Sequence, residues 1–416
     1  MIISYKAELG PNNKQISLFY KYCGTARFAY NWALNKQIDA HKNNEKFMSS
    51  IDLHKEFVKL KKTEFVWATE ISKWVPQEAF RNLCKAYDNF FKNLKNKKIK
   101  NKGFPKFKSK KNRNGSFTVC EPIHIFRNSI QLPKLGIIRL KESDYIPLHG
   151  RIINATVSQR ANKWFVSVTM EQPDKVFEGK KDETIGVDLG IKELATCSDG
   201  TIFKNPRILK NKLKKLKILQ KMIEKKIEGG ENREKARRRL AKLYYKISCI
   251  RTDNIHKITT RLTKTKSCVV IENLAISNLM KNHKLAQAIS DTGWCEFCKQ
   301  LKYKGKKFNC NIIVADRFYP SSKMCSQCGN IKKDLKLSDR IYCCEVCGLE
   351  IDRDLNAAIN LKKFSTVGFT GFKACGERDR YLDTSESKQV ASMKQEATIG
   401  FDIQRSIAKQ ADQNIF

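Results

Sequence analysis

Residues 184–190 read TIGVDLG: an apolar run that ends in Asp188 and is closed by Gly190. A buried strand that delivers one carboxylate to the edge of a sheet has this form. The pattern says little alone, because acids often terminate strands. Two distant segments repeat it. CVVIEN (268–273) is a second apolar run ending in an acid, Glu272. DRDLNAA (352–358) opens a helical pattern with Asp354 near its start, where an acid could equally cap the helix. Carboxylates drawn from distant chain positions to one point are what a two-metal phosphodiesterase requires.

The surroundings of these segments alternate strand and helix. After TIGVDLG, the short β patterns ELATCS (193–198) and TIFK (201–204) predict two more strands. A charged helical stretch follows over 207–262. Leu209, Leu213, Leu216, Ile223 and Ile227 predict one apolar stripe; Ala236, Leu240, Leu243, Ile247 and Ile250 predict another, and Gly229-Gly230 breaks the two into a hairpin. That hairpin reads equally as a structural pair with a wet basic face or as a spine facing a nucleic-acid duplex. CVVIEN and NCNIIVAD (309–316) resume the β pattern, with a helix expected around 291–306. The expectation is a mixed sheet flanked by helices. Two central strands ending in acids and a third acid at a helix N-terminus are the layout of RNase H-like nucleases. There Asp188, Glu272 and Asp354 would hold two Mg²⁺ ions, hard cations suited to an all-oxygen site. No His cluster competes for them.

The strongest local signal lies between the second and third acids. Cys325 and Cys328 form one CxxC, and Cys344 and Cys347 a second, with 15 residues between the pairs. Each CxxC presents two thiolates from a tight knuckle, and Gly329 and Gly348 suit the turns. Two knuckles close a four-thiolate site, so a structural Zn²⁺ is expected. Cys343 is a rival for Cys344, which the spacing favours. Cys295 and Cys298 also form a CxxC, but within a predicted helix and without knuckle glycines; they read as helix-face cysteines.

The N-terminal half differs in kind. Residues 1–10 read as a strand, and residues 14 to about 95 as helices whose aromatics recur at core spacing. Residues 92–113 hold eleven Lys or Arg and no acid, with Phe104 and Phe107 among them. Such a run suggests a loop that tracks phosphates and stacks on bases. Lys106, Lys108 and Lys110 are candidate nucleic-acid contacts on density alone. From about 115 to 180 short alternating segments predict a small β barrel or sandwich, with turns at Gly136 and Asn162. The opening strand is a candidate member, with the helical block inserted between. The tail from about 367 is polar and aperiodic and reads as disordered.

Composition bounds the partner. Of 416 residues, 81 are Lys or Arg and 42 Asp or Glu, a net charge of +39. So large an excess costs self-repulsion and is offset by a polyanion, nucleic acid before a membrane surface. Hydrophobic content of 41% is ordinary for folded domains. An odd count of 15 cysteines argues against a disulfide framework. The N-terminus is a poor signal peptide and no apolar run reaches membrane-spanning length, so a prokaryotic cytoplasmic location is expected.

IGVDLGIKELAT, VVIENLAISNL, RFYPSSKMCSQCG and YCCEVCGLEIDRDLNAAINL resemble the RuvC and zinc-ribbon signatures of TnpB, the transposon-encoded RNA-guided DNA nucleases related to type V CRISPR effectors. NREKARRRLAKLYYKI is similar to that family's helical hairpin, and GTARFAYNWAL and FPKFKSKK to its N-terminal half. The resemblance implies an α+β multidomain chain. A wedge-like β-barrel would span 1–13 and 111–180, with a helical recognition domain (14–110) inserted. A RuvC, RNase H-like nuclease would span 181–320 and 351–366, with a zinc ribbon over 321–350, before the tail 367–416. It implies that Asp188, Glu272 and Asp354 are catalytic and hold Mg²⁺, and that Cys325, Cys328, Cys344 and Cys347 hold zinc. It also implies a guide RNA derived from the transposon end, double-stranded target DNA beside a short duplex motif, and one copy of the chain per RNA. Within DRD, Asp354 is chosen over Asp352 because it sits two before Asn356. WCEFCKQL (294–301) departs from the pattern, carrying cysteines where small and basic residues are expected. The alternatives are a DNA transposase and an RNA-guided DNA-binding repressor without cleavage. A Tyr-type transposase would need a His-x-His pair that none of the six His provides, and a repressor would have lost one of the acids.

Overall fold

The computed structural model describes residues 1–96, 101–110, 115–173, 183–336 and 338–365. Parts of the basic run (97–100 and 111–114) and the whole tail from 367 lie outside the described residues. In the N-terminal part the elements are β1 (Ile2–Gly10), α1 (Asn13–Lys42), α2 (Ser50–Leu60), α3 (Trp74–Lys95), β2 (Ser116–Val119), β3 (His124–Ile125), β4 (Ser129–Leu132), β5 (Gly136–Leu140), β6 (Arg151–Arg160) and β7 (Lys163–Glu171). The strands form one antiparallel sheet in the order β2-β6-β7-β1-β5-β4-β3. The opening strand pairs with β7 along its length, from Ile2 opposite Glu171 to Leu9 opposite Trp164. Alternation sets the buried face: Val166, Val168 and Met170 on β7, Ala155 and Val157 on β6 and Phe117 and Val119 on β2 pack with Phe19 and Tyr22 of α1. The tight β6–β7 turn consists of Ala161 and Asn162, both at positive φ (50° and 66°), as the twist of a two-residue hairpin requires.

α1 begins at an Asn12–Gln15 capping box. Its first half covers the sheet, and its second half joins α2 and α3 in a separate helical core of Tyr30, Leu34, Leu53, Phe57, Phe80 and Leu83. Phe104 belongs to that core as well. Its ring packs edge-on against Tyr87 and Phe90, at centroid distances of 5.8 and 5.2 Å. The basic run therefore keeps one aromatic for anchoring, and only Phe107, 55% exposed, is free to meet bases.

The second part contains β8 (Ile185–Asp188), β9 (Glu193–Cys197), β10 (Ile202–Lys204), α4 (Ile208–Glu224), α5 (Glu231–Thr265), β11 (Cys268–Ile271), α6 (Ile276–Leu279), α7 (His283–Thr292), α8 (Trp294–Phe308), β12 (Asn311–Val314), β13 (Ile341–Cys343), β14 (Glu350–Asp352) and α9 (Arg353–Phe364). The mixed sheet runs β10-β9-β8-β11-β12. Its β8, β11 and β12 are parallel, while β9 and β10 are antiparallel. Both faces are covered. Val187, Val269 and Ile271 face Ile255 and Ile258 of α5 and Phe297 and Leu301 of α8. Cys268 and Val270 face Leu361 of α9. Burial on both faces explains why β8 and β11 read as unbroken apolar runs.

Three expectations need correction. Ile227 is 86% exposed, because α4 stops at Glu224 and the residue lies in the turn before Gly229-Gly230. Ile250 is exposed too, a turn beyond the apolar cluster of Ile208, Leu216 and Ile247 that seals the hairpin. The helix expected around 291–306 is split at Gly293 (φ 72°), which ends α7 and starts α8.

Candidate functional site

Asp188 is the last residue of β8, opposite Thr196 of β9. Glu272 immediately follows β11, the parallel neighbour of β8, with Ile271 beside Val187. Parallel alignment therefore brings two strand ends, and their acids, to the same edge. The third acid arrives on α9, which lies directly against β8. A Cβ added at Gly186 would stand 2.0 Å from the Ala358 carbonyl oxygen and 2.5 Å from the Lys362 nitrogen. Only glycine in TIGVDLG permits that approach, and Ala357 and Ala358 are the matching small residues on the helix, both buried.

Asp352 and Asp354 have different jobs. Asp352 is the N-cap of α9: its Oδ1 accepts from the backbone N–H groups of Asp354 (3.0 Å) and Leu355 (3.1 Å). Capping is thus assigned to Asp352, and the Asp354 carboxylate is not needed for it. Burial, then the charges of Glu272 and Asp354, hold the Asp188 carboxyl well above the ordinary carboxylate range; Asp352 adds to this and Arg353 opposes it. A cluster of acids that raises a member's pKa is a site that gains by taking a cation. The three carboxylates offer only oxygen donors, a set that fits Mg²⁺.

Glu272 also opens onto a cleft of about 430 Å³ lined by Asn273, Asn278, Asp316, Arg317 and Ser321 among others. Ser321 donates its hydroxyl to Glu272 Oε1. The loop after β12 turns on Asp316, whose Oδ1 accepts from the Phe318 N–H at 2.8 Å, and leaves the Phe318 ring 87% exposed.

The four cysteines converge. Their sulfurs all lie within 4.8 Å of one another, with Cys325–Cys347 at 3.6 Å and Cys328–Cys344 at 3.5 Å. Tetrahedral Zn–S bonds of about 2.3 Å imply S···S separations of about 3.8 Å, so the quartet fits zinc. Among the described residues no other group of three or more His, Cys, Asp or Glu is drawn this tight. Each knuckle closes with an N–H from glycine at positive φ: Gly329 to the Cys325 carbonyl and Gly348 to the Cys344 carbonyl, both 3.0 Å. N–H groups of Cys347 and Val346 pull the Cys344 thiol down to about 6, favouring the thiolate. Cys343 stays exposed outside the cluster, and Cys295 and Cys298 lie on α8.

Of the lysine candidates, Lys106 and Lys110 are exposed. Lys108 is more constrained: its ammonium lies 3.8 Å from the Tyr30 ring centroid and its backbone is held at both ends by the Asn31 side chain. Sequence reasoning missed Ser321 and Asn360, and used Asn356 only as the marker that singles out Asp354. Their signals were faint: a serine pair just before the first knuckle, and two asparagines four apart on the last helix.

Sequence models of three families match the chain: a "Probable transposase" over residues 165–283, a "Cas12f1-like, TNB domain" over 294–361 and a helix-turn-helix domain over 1–46. A protein of Streptomyces pristinaespiralis named "Putative RNA-guided DNA endonuclease" is 33% identical over 94% of this chain and 96% of its own length. InsQ of Escherichia coli K12, described in the same words, is 30% identical over 90% of this chain and 94% of its own. A "TnpB-like protein L770" of Acanthamoeba polyphaga mimivirus is 25% identical over 54% of this chain and 45% of its own. These define a class of transposon-related proteins with a TNB module. At one-third identity over nearly its whole length, the chain belongs to the TnpB family.

Proposed function

We propose that the protein is an RNA-guided DNA endonuclease of RuvC type that cuts target DNA beside a short duplex motif. What supports this reading is that Asp188 and Glu272 end neighbouring parallel strands and that, after burial, the charges of Glu272 and Asp354 act most strongly on the Asp188 carboxyl, in a chain whose four knuckle cysteines also converge. When bound, Mg²⁺ would supply charge neutralisation at the attacking and leaving oxygens of phosphodiester hydrolysis. The chain's own part is to hold the three carboxylates, which repel one another, at fixed points on two strands and a helix. Arg317 lies in the Glu272 cleft and can take a backbone phosphate; the exposed Phe318 ring can stack on a base. The antiparallel sheet serves as the wedge-like β-barrel, the α1–α3 bundle as the recognition domain and residues 321–350 as the zinc ribbon. Guide–target pairing supplies sequence specificity, so the protein needs backbone contacts more than base contacts. Lys106, Lys108 and Lys110 and the basic face of the α4–α5 hairpin serve that need. One copy acts per RNA, and the strands are cut in turn at the single site.

The test is purification with co-bound RNA, followed by incubation with a guide-matched plasmid and Mg²⁺. The expected result is co-purifying RNA from the transposon end and cleavage that Asp188→Ala abolishes while binding remains. Cleavage surviving in Asp188→Ala would refute the site; absence of RNA would refute the guided reading.

A further inference from the structure

Ser321 is buried, and its hydroxyl donates to Glu272 Oε1. Its backbone is pinned by α9. The Asn360 side-chain amide donates to the carbonyls of Ser321 (2.7 Å) and Met324 (2.6 Å). Asn356 donates to the same Met324 carbonyl (2.8 Å) and accepts from the Ser326 N–H (2.9 Å). Lys363 donates to the Ser326 carbonyl. Ser326 lies inside the first cysteine knuckle, between Cys325 and Cys328. Both asparagines are fully buried. The segment from 321 to 328 is therefore fixed by the sulfur cluster at one end, clamped along its length by the helix that carries Asp354, and joined to Glu272 at the other.

We propose that Ser321 is a positioning residue for Glu272, held in place by the Asn356–Asn360 clamp and the first cysteine knuckle. The inference rests on Glu272 being a divalent-ion ligand. A hydrogen bond that takes up one carboxylate oxygen fixes the rotation of the group and leaves the second oxygen aimed. Loss of such an outer partner typically costs about 10–100-fold in metal affinity. Ser321 combines burial, a direct bond to a carboxylate and a backbone tied to the cysteine cluster.

The experiment compares Mn²⁺ binding, by titration calorimetry and electron paramagnetic resonance, in the wild type, Ser321→Ala, Ser321→Thr and Asp188→Ala, with zinc content and melting temperature measured in parallel. Ser321→Ala is expected to lose roughly 10-fold or more in Mn²⁺ affinity, with zinc content and melting unchanged. Ser321→Thr, which keeps the hydroxyl, should recover it. Equal Mn²⁺ affinity in Ser321→Ala and wild type, or a threonine variant as weak as alanine, would overturn the inference. If Asp188→Ala loses Mn²⁺ and Ser321→Ala does not, only the role of Ser321 falls. If Asp188→Ala also binds normally, the carboxylate site falls and this inference with it.

Discussion

Asp188 shows what the site costs the protein without its cations. A carboxyl whose pKa is raised in the folded state binds its proton more tightly folded than unfolded. The penalty is absent below the ordinary Asp range, grows as pH rises toward the raised value and is complete above it. Asp188→Asn should therefore melt higher than wild type in chelator at neutral pH, a difference that vanishes below the ordinary Asp range. Mg²⁺ should stabilise the wild type and not the variant; scanning calorimetry with and without Mg²⁺ checks both. Cys325→Ser should drop bound zinc from one ion per chain to none and lower the melting temperature, read by metal analysis and the same scan. At this scale the grouping of the four cysteines, and of Glu272 and Asp354 about Asp188, was legible from residue type and spacing. The roles of Ser321, Asn356 and Asn360 were not, since they depend on partners brought together only by folding.

The element that sets the site is the contact of α9 with β8. Gly186→Ala changes no charge, yet its methyl group would meet the α9 backbone well inside van der Waals distance. It should destabilise the protein by about 1–3 kcal/mol or more and displace the helix that carries Asp354, so cleavage should fall far more than RNA binding; melting and single-turnover cleavage separate the two. A contrasting case is Ala161, held at φ 50° in the β6–β7 turn. Ala161→Gly should raise stability by about 1 kcal/mol, the strain an L-residue bears in the left-handed region, with cleavage unchanged. Strand and helix positions were legible from periodicity, including the opening strand's membership of the antiparallel sheet, though not its pairing with β7. Helix ends were less so. The apolar spacing carries on past Glu224 to Ile227 although the helix does not, and Phe104 looks like a base-stacking ring until Tyr87 and Phe90 close around it.

For the whole molecule, the net charge of +39 needs a polyanion. On the α4–α5 hairpin, buried Ile208, Leu216 and Ile247 seal the two helices together while Lys210, Lys214, Lys217, Arg237 and Arg238 stay in solvent. RNA affinity should accordingly fall about 10³-fold or more between 50 and 200 mM salt, measured by filter binding; a nearly flat dependence would contradict an interface made of phosphate contacts. Among the described residues no helix is long and apolar enough to cross a membrane. Charge alone points to nucleic acid but not to guidance, which on the proposed function base pairing would supply outside the protein. The most direct test of the central claim is therefore to replace the guide segment of the bound RNA with an unrelated sequence and map the cut on plasmids carrying the old or the new match. Cleavage should move to the new match and disappear from the old; cleavage that stays at the old site, or ignores the guide, would contradict it.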